Sequence, residues 1–288
     1  MENKNLKIAV QKSGRLSEKS LELIGESGIK LTQEGKLKLV SVGQNFPVEL
    51  LFLRDDDIPQ YVADNVADIG IVGENEVMEQ NKPVDIVDRL GFAKCRLSLA
   101  IPQDIHYDDL TFFNGKKIAT SYPVILHQFL TEKKIDAEIH EISGSVEIAP
   151  GIGLADAIFD IVSSGSTLIS NRLKEVEIVT RSEAVIIGNR KMNTEKKQIL
   201  ENLLFRVHSV LNAKNNKYIL LNAPNVNLDK IIQLLPGMKS PTIMPLAEKG
   251  WSSLHSVVNE NDFWQIIEKL KEYRAQGILV IPIEKMIV

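Results

Sequence analysis

The chain has 288 residues, 44% of them apolar and 25% charged, a balance that fits a soluble globular protein of two or three domains and excludes a disordered or fibrous one. Its net charge of -4 excludes a protein built to neutralise a nucleic-acid backbone, while the few cations that a small phosphorylated ligand requires remain available. The single cysteine, Cys95, rules out an intrachain disulfide and a four-cysteine zinc site. No apolar run is long enough to cross a bilayer, and Met1 to Asn5 leads straight into a strand without a basic and apolar leader pattern. The expectation is a cytoplasmic protein with neither membrane nor nucleic acid as partner.

In chain order, Leu6 to Val10 reads as a short strand and Gln11 to Arg15 as a loop. A helix follows, with Ser17 as N-cap, Leu21, Leu23 and Ile24 on its apolar side and Gly28 at its end. Val48 to Leu53 is a second strand, running into Arg54 to Pro59, where Asp57 caps a helix that Pro59 helps to begin. Asp68 to Gly73 has the continuous apolar character of a buried parallel strand, and its glycines allow close backbone approach.

A second α/β unit starts at Leu97 to Ile101, a strand, and continues with a strand at Lys116 to Thr120, a helix at Pro123 to Lys134 and a strand at Ala137 to Ile142. Ala155 to Val162 is a further strand, Ser163 to Thr167 a loop opening a helix, and Ala184 to Ile187 returns the chain to the first unit. The expected core is therefore α/β and two-lobed in the manner of periplasmic binding proteins, with lobe I at 1–95 plus 184–211, lobe II at 96–183, and a ligand cleft between them. The polar run Asn212 to Lys217 marks a boundary. Beyond it, strands at Tyr218 to Asn222, Thr242 to Leu246, Ser253 to Val258 and Ile278 to Ile283, with helices at Leu228 to Leu235 and Phe263 to Tyr273, give the β-α-β-β-α-β order of a ferredoxin-like domain over 217–288.

Chemistry concentrates in Glu147 to Leu168, where a buried strand ends in acids and hydroxyls. Ser163, Ser164, Gly165, Ser166 and Thr167 at a helix start offer free amides and hydroxyls to a terminal phosphate, and Asp160 with Glu147 faces the sugar that carries it and attracts magnesium. On spacing alone the same stretch also reads as a hydrophilic turn with Asp156 or Asp160 as a surface charge or cap.

These residues resemble the phosphoribosyl-pyrophosphate loop of ATP phosphoribosyltransferases. The resemblance extends, block by block and in order, to Gln11 to Leu16, Arg54 to Pro59, Asp68 to Gly73, Gly91 to Arg96 and Ala119 to Pro123. Leu235 to Thr242 and the ending Ile281 to Met286 resemble the C-terminal domain of the long form, which short forms lack. The resemblance implies transfer of a 5-phosphoribosyl group to N1 of the adenine of ATP, with loss of pyrophosphate, magnesium as the metal held mainly through substrate phosphates, and histidine as feedback inhibitor. It also implies a dimer that assembles into a hexamer.

Carried onto this sequence, Lys12, Arg15, Glu147 and Asp160 become candidate catalytic residues, and Asp156 and Ser163 to Thr167 candidate ligands of phosphoribosyl pyrophosphate. Arg54, Gly73, Lys94, Arg96 and Tyr122 become candidates for ATP and pyrophosphate, since guanidinium and ammonium groups near strand ends neutralise a leaving pyrophosphate. Solvent-facing surface is the ordinary place for such cations. No general base is named, because adenine N1 is already unprotonated near neutral pH. The five histidines show no ligand spacing, and Cys95 reads as a small buried filler. Ser253 and His255 mark where a regulatory ligand is sought in the third domain. Two readings stand beside this one: a solute-binding sensor with the same lobes, and a subunit of the same fold without activity of its own.

Overall fold

The computed structural model describes residues 4–32 and 39–288, so only Lys4 and Asn5 of the opening segment fall within it. Chain contacts divide it into two units, one of residues up to Glu22 plus Lys30–Ile199, the other of Leu23–Ile29 plus Leu200–Val288.

The first unit opens with β1 (Leu6–Gln11), α1 (Arg15–Glu26), β2 (Val40–Val42), β3 (Val48–Leu53), α2 (Ile58–Ala63), β4 (Ile69–Gly73), α3 (Glu74–Gln80) and β5 (Val84–Arg89). It continues with β6 (Cys95–Pro102), β7 (Lys117–Thr120), α4 (Pro123–Lys133), β8 (Glu138–Glu141), β9 (Ala157–Val162), α5 (Ser166–Ser170), β10 (Leu173–Ser182) and β11 (Ala184–Asn189). Two sheets result, in the orders β2-β3-β1-β4-β11-β5 and β10-β6-β9-β7-β8. In each, a parallel core of three strands takes one antiparallel strand from the chain crossing: β11 lies against β4, and β6 against β9. The crossings make this a two-lobed α/β unit in which the C-terminal ends of the parallel strands carry the loops of interest.

Apolar runs decide the sheets. All residues of β11 are buried, and Ile8, Ala9, Val10, Ile69 and Val72 are fully covered or nearly so. The second sheet packs Leu97, Leu99, Phe159, Phe113 and Leu126 in one cluster on one side and Ala100, Ile158, Val162 and Leu168 in another. Two local expectations change. Helix α1 begins at Arg15, so Ser17 is not its cap but a residue inside it, 4% exposed. Asp57 does sit at the N-cap of α2, yet its side chain makes no capping bond.

Helix α6 (Thr194–Lys214) starts in the first unit, where the Lys196 ammonium lies 2.8 Å from both oxygens of the buried Asp68 carboxylate. The second unit then holds β12 (Asn216–Pro224), α7 (Leu228–Leu234), β13 (Thr242–Pro245), β14 (Trp251–Asn259), α8 (Phe263–Glu272) and β15 (Gln276–Pro282). Its sheet runs β13-β14-β12-β15 with every pair antiparallel, the ferredoxin-like arrangement. Alternate residues Ile219, Leu221, Ala223, Leu254 and Val258 pack with Ile231, Ile267 and Leu270 of α7 and α8 in one core. On strands flanking the opposite register, Met244, Leu279 and Ile281 are exposed.

Candidate active site

Five loops leave the C-terminal ends of parallel strands in the first unit: after β1, β3, β4, β7 and β9. Side chains at or just after the ends of β1 and β3 meet, and so do side chains after β4 and β7. After β4, Gly73 is the N-cap of α3, and a Cβ built on it would lie 2.4 Å from the Asn75 Oδ1 atom, so glycine is required by the chain's own next turn. Asn75 is locked by Ser182, whose hydroxyl accepts from the Asn75 backbone amide at 3.0 Å and donates to Asn75 Oδ1 at 2.9 Å. Asn75 Nδ2 in turn donates to Glu76 at 2.8 Å, and the Tyr122 hydroxyl, after β7, donates to the same Glu76 oxygen at 3.2 Å. One turn further along α3, the Glu79 carboxylate accepts from the amides of Val124 and Ile125 at 2.9 and 3.0 Å, holding the first turn of α4. Helix α3 on the first sheet thus grips the turn that follows β7 on the second.

This cleft is acidic. Glu76 is 8% exposed, and burial pushes its carboxyl from the ordinary 4.5 to about 7, helped by the charges of Asp55, Asp56 and Glu79 and opposed by the Tyr122 hydrogen bond. Burial likewise raises Asp160, at the end of β9, to about 6; the Glu147 charge adds to this and the hydrogen bond from the Ile161 amide opposes it. Burial and then the charges of Glu76, Asp160 and Asp55 drive the Tyr122 phenol upward. Asp55 is held by Gln11, whose amide donates to it at 3.1 Å from the end of β1.

Beyond β9 the loop turns at Gly165, whose φ of +81° is the left-handed region that favours glycine, and α5 follows. The hydroxyls of Ser164 and Ser166 lie 3.0 Å apart, and Ser163, Ser164, Ser166 and Thr167 are exposed. A short row of hydroxyls thus begins three residues beyond the Asp160 carboxylate, an arrangement that suits a phosphorylated sugar.

Comparison with known proteins agrees. A family model described as "ATP phosphoribosyltransferase" matches residues 54–209, and one described as "HisG, C-terminal domain" matches 213–285. The chain belongs to the ATP phosphoribosyltransferase family. With both models matched, it has the family's long form. Proteins named ATP phosphoribosyltransferase from Bacteroides thetaiotaomicron and Bacteroides fragilis are 64% and 62% identical to it, each over 98% of this chain and 100% of the relative. Among solved structures, a chain titled as the ATP phosphoribosyl transferase (HisG:HisZ) complex from Thermotoga maritima matches with a TM-score of 0.63 and 26% identity, over 72% of this chain and 97% of that one.

Within this family frame, the candidates chosen from sequence fall into three groups. Asp160, Tyr122, Gly73 and the loop Ser163 to Thr167 stand at or near the strand ends just described, while Glu147 lies in a short 3-10 helix between β8 and β9, its charge acting on Asp160. Lys12, Arg15 and Lys94 lie in loops or at a helix start, are exposed, and make no ion pair among the described residues. Arg54, also exposed, is already paired with Asp56 through two hydrogen bonds of 3.1 and 2.9 Å. Two candidates are placed differently. Asp156 stands before β9, a six-residue strand, so about 20 Å of chain separates it from the loop. There its carboxylate accepts from the Lys117 amide at 2.9 Å and faces Lys116 at 3.7 Å. Arg96 donates two hydrogen bonds to the Glu175 carboxylate and one to the Ser163 carbonyl.

Asp55, Asn75, Glu76 and Glu79 escaped the sequence reading. The available signal was the run Glu74-Asn75-Glu76 immediately after a buried strand that ends in glycine, since acids at such a strand end face a site more often than a core. In the second unit, His255 Nδ1 lies 2.7 Å from the Tyr218 hydroxyl and His255 Nε2 lies 3.2 Å from the Ser253 hydroxyl, so the two regulatory candidates share one hydrogen-bonded row.

Proposed function

We propose that the chain transfers the 5-phosphoribosyl group of phosphoribosyl pyrophosphate to N1 of the adenine ring of ATP, releasing pyrophosphate, as the first step of histidine biosynthesis. The observation that carries this reading is the hydroxyl loop Ser163 to Thr167, which begins three residues after Asp160, a carboxyl that the Glu147 charge acts on. The loop takes the 5-phosphate, and the two carboxylates take the ribose hydroxyls. As the bond from C1 to the pyrophosphate oxygen breaks and the bond to N1 forms, C1 gains oxocarbenium character. The surrounding acids Asp160, Glu147 and Glu76 favour that charge, while Lys12, Arg15, Lys94 and Arg54 neutralise the departing pyrophosphate and the triphosphate of ATP. Gly73 and Tyr122 border the nucleotide's side of the site.

Family membership brings a metal requirement, and magnesium fits the residues present. Among the described residues no three acidic or thiolate and imidazole ligands form a cage. Magnesium commonly uses one or two carboxylates together with substrate phosphates, and Asp160 and Glu147 supply such a pair. When bound, it neutralises charge on the pyrophosphate.

Residues 217–288 form the histidine-binding regulatory domain in this reading, with lobes at 1–95 plus 184–211 and at 96–183, and Ser253 and His255 as the place where the inhibitor acts. Feedback inhibition by histidine, a dimer-to-hexamer assembly and a cytoplasmic location belong to the same proposal. No helix among the described residues is long and apolar enough to cross a membrane.

The test is direct. The purified chain with ATP, phosphoribosyl pyrophosphate, magnesium and a pyrophosphatase should develop the ultraviolet absorbance of an N1-substituted adenine. Asp160→Ala or Thr167→Ala should raise KM for phosphoribosyl pyrophosphate by about tenfold or more, the scale of one lost charge-assisted contact, and leave ATP binding nearly unchanged. Equal losses on both substrates would contradict the assignment.

A further inference from the structure

We infer that Arg96 and Glu175 are positioning residues that set the shape of the phosphate loop through the Ser163 carbonyl, without touching substrate themselves. This rests on the reading of Ser163 to Thr167 as the 5-phosphate site.

Arg96 lies near the start of β6, opposite Val162 of β9 on one side and Arg181 of β10 on the other. Its Nε donates to Glu175 Oε1 at 2.5 Å and its Nη2 to Glu175 Oε2 at 2.6 Å, a two-pronged pair that fixes the plane of the guanidinium. From that fixed plane, Nη1 donates to the Ser163 carbonyl at 3.1 Å. Glu175 is itself held from behind: the Ser98 hydroxyl donates to Oε1 at 2.6 Å. The strand carrying Glu175 bulges between Glu175 and Glu177, and a bulge re-aims the side chains beside it. The Arg96 hydrogen bonds keep the Glu175 carboxyl below the usual carboxylate range.

Ser163 is the first residue after β9, so the direction of its carbonyl fixes the peptide plane that presents the Ser164 amide. One residue later the backbone must enter the left-handed turn at Gly165. A chain of contacts therefore runs from β6 and β10 to the loop's first peptide, Ser98 to Glu175 to Arg96 to Ser163, and each link is a hydrogen bond of 3.1 Å or less. Lysine cannot replace the arginine, because one ammonium cannot hold both carboxylate oxygens in plane and reach a carbonyl as well.

The test uses the full-length enzyme, with thermal unfolding recorded for every variant. Glu175→Gln keeps the shape but loses the charge and one acceptor. It should raise KM for phosphoribosyl pyrophosphate about tenfold while KM for ATP stays within about twofold, the scale of one weakened charge-assisted pair. Arg96→Lys should do the same, and the double variant should be no worse than the weaker single, because both act through one contact. If Glu175→Gln fails to fold, Ser98→Ala, which removes a single bond to Glu175, should show a smaller rise of about threefold on the same substrate alone. The inference is overturned if Glu175→Gln, or Ser98→Ala in its place, leaves KM for phosphoribosyl pyrophosphate unchanged while Arg96→Lys raises it, since Arg96 would then act directly. Additive losses in the double variant, or equal losses on both substrates, overturn it too. A wild-type protein that transfers no phosphoribosyl group would instead defeat the reading of the loop.

Discussion

Glu76 shows how a single side chain records what surrounds it. Its carboxyl is raised from 4.5 to about 7 because burial and the nearby Asp55, Asp56 and Glu79 penalise its charge more than Tyr122 relieves it. A carboxyl raised on folding contributes stability that is complete below its unfolded value and is lost as pH climbs through the folded one. Glu76→Gln, neutral at every pH, should therefore match the wild type near pH 4.5 and exceed it by up to about 3 kcal/mol near pH 8. Urea unfolding at both pH values checks this, and a variant no more stable at the higher pH would contradict it. Part of the neighbourhood was legible: Gly73 ends the apolar strand that starts at Ile69, and Asp160 interrupts another apolar strand two residues before its end. Glu76, Asn75 and the pairing of Arg96 with Glu175 were not, because that pairing joins residues 79 positions apart and no local pattern encodes it.

At the scale of elements, legibility followed burial. Strands β1, β3, β4, β9 and β11 are mostly apolar, each with at most one charged residue, and each is legible in the sequence to within a few residues. Strand β10 was missed because Leu173–Ser182 lies at a sheet edge, half-exposed and rich in charge, and α3 because its acids face the cleft. Asp156 and the loop stand at opposite ends of β9, because a strand separates its two ends by its full length. Helix α6 was also unread, although its start is fastened by a specific buried pair. Asp68 is 4% exposed and accepts from Lys196 and from the Lys7 amide, so Lys196→Met strands a buried carboxylate. Thermal or urea unfolding should show a loss of about 3 to 5 kcal/mol; a loss under about 1 kcal/mol, the scale of an exposed pair, would show that the carboxylate finds other solvation.

For the whole molecule, the second unit's strand order was fully legible from alternating apolar positions and turn residues, while its ligand was not. If histidine regulates through this unit, His255→Ala breaks the row that joins Tyr218, His255 and Ser253 and should move half-inhibition by histidine upward by about fivefold or more, within the usual range of allosteric coupling. An unmoved inhibition curve of the full-length variant would remove Ser253 and His255 from the regulatory proposal. The placement of β11 has a consequence for synthesis. Among the described residues strand β5 pairs with β11 alone, yet β11 is made only after β6 to β10 have been translated. A nascent chain therefore carries an open-edged earlier sheet for about ninety residues of translation, the interval in which a chaperone or a foreign strand has its best opportunity.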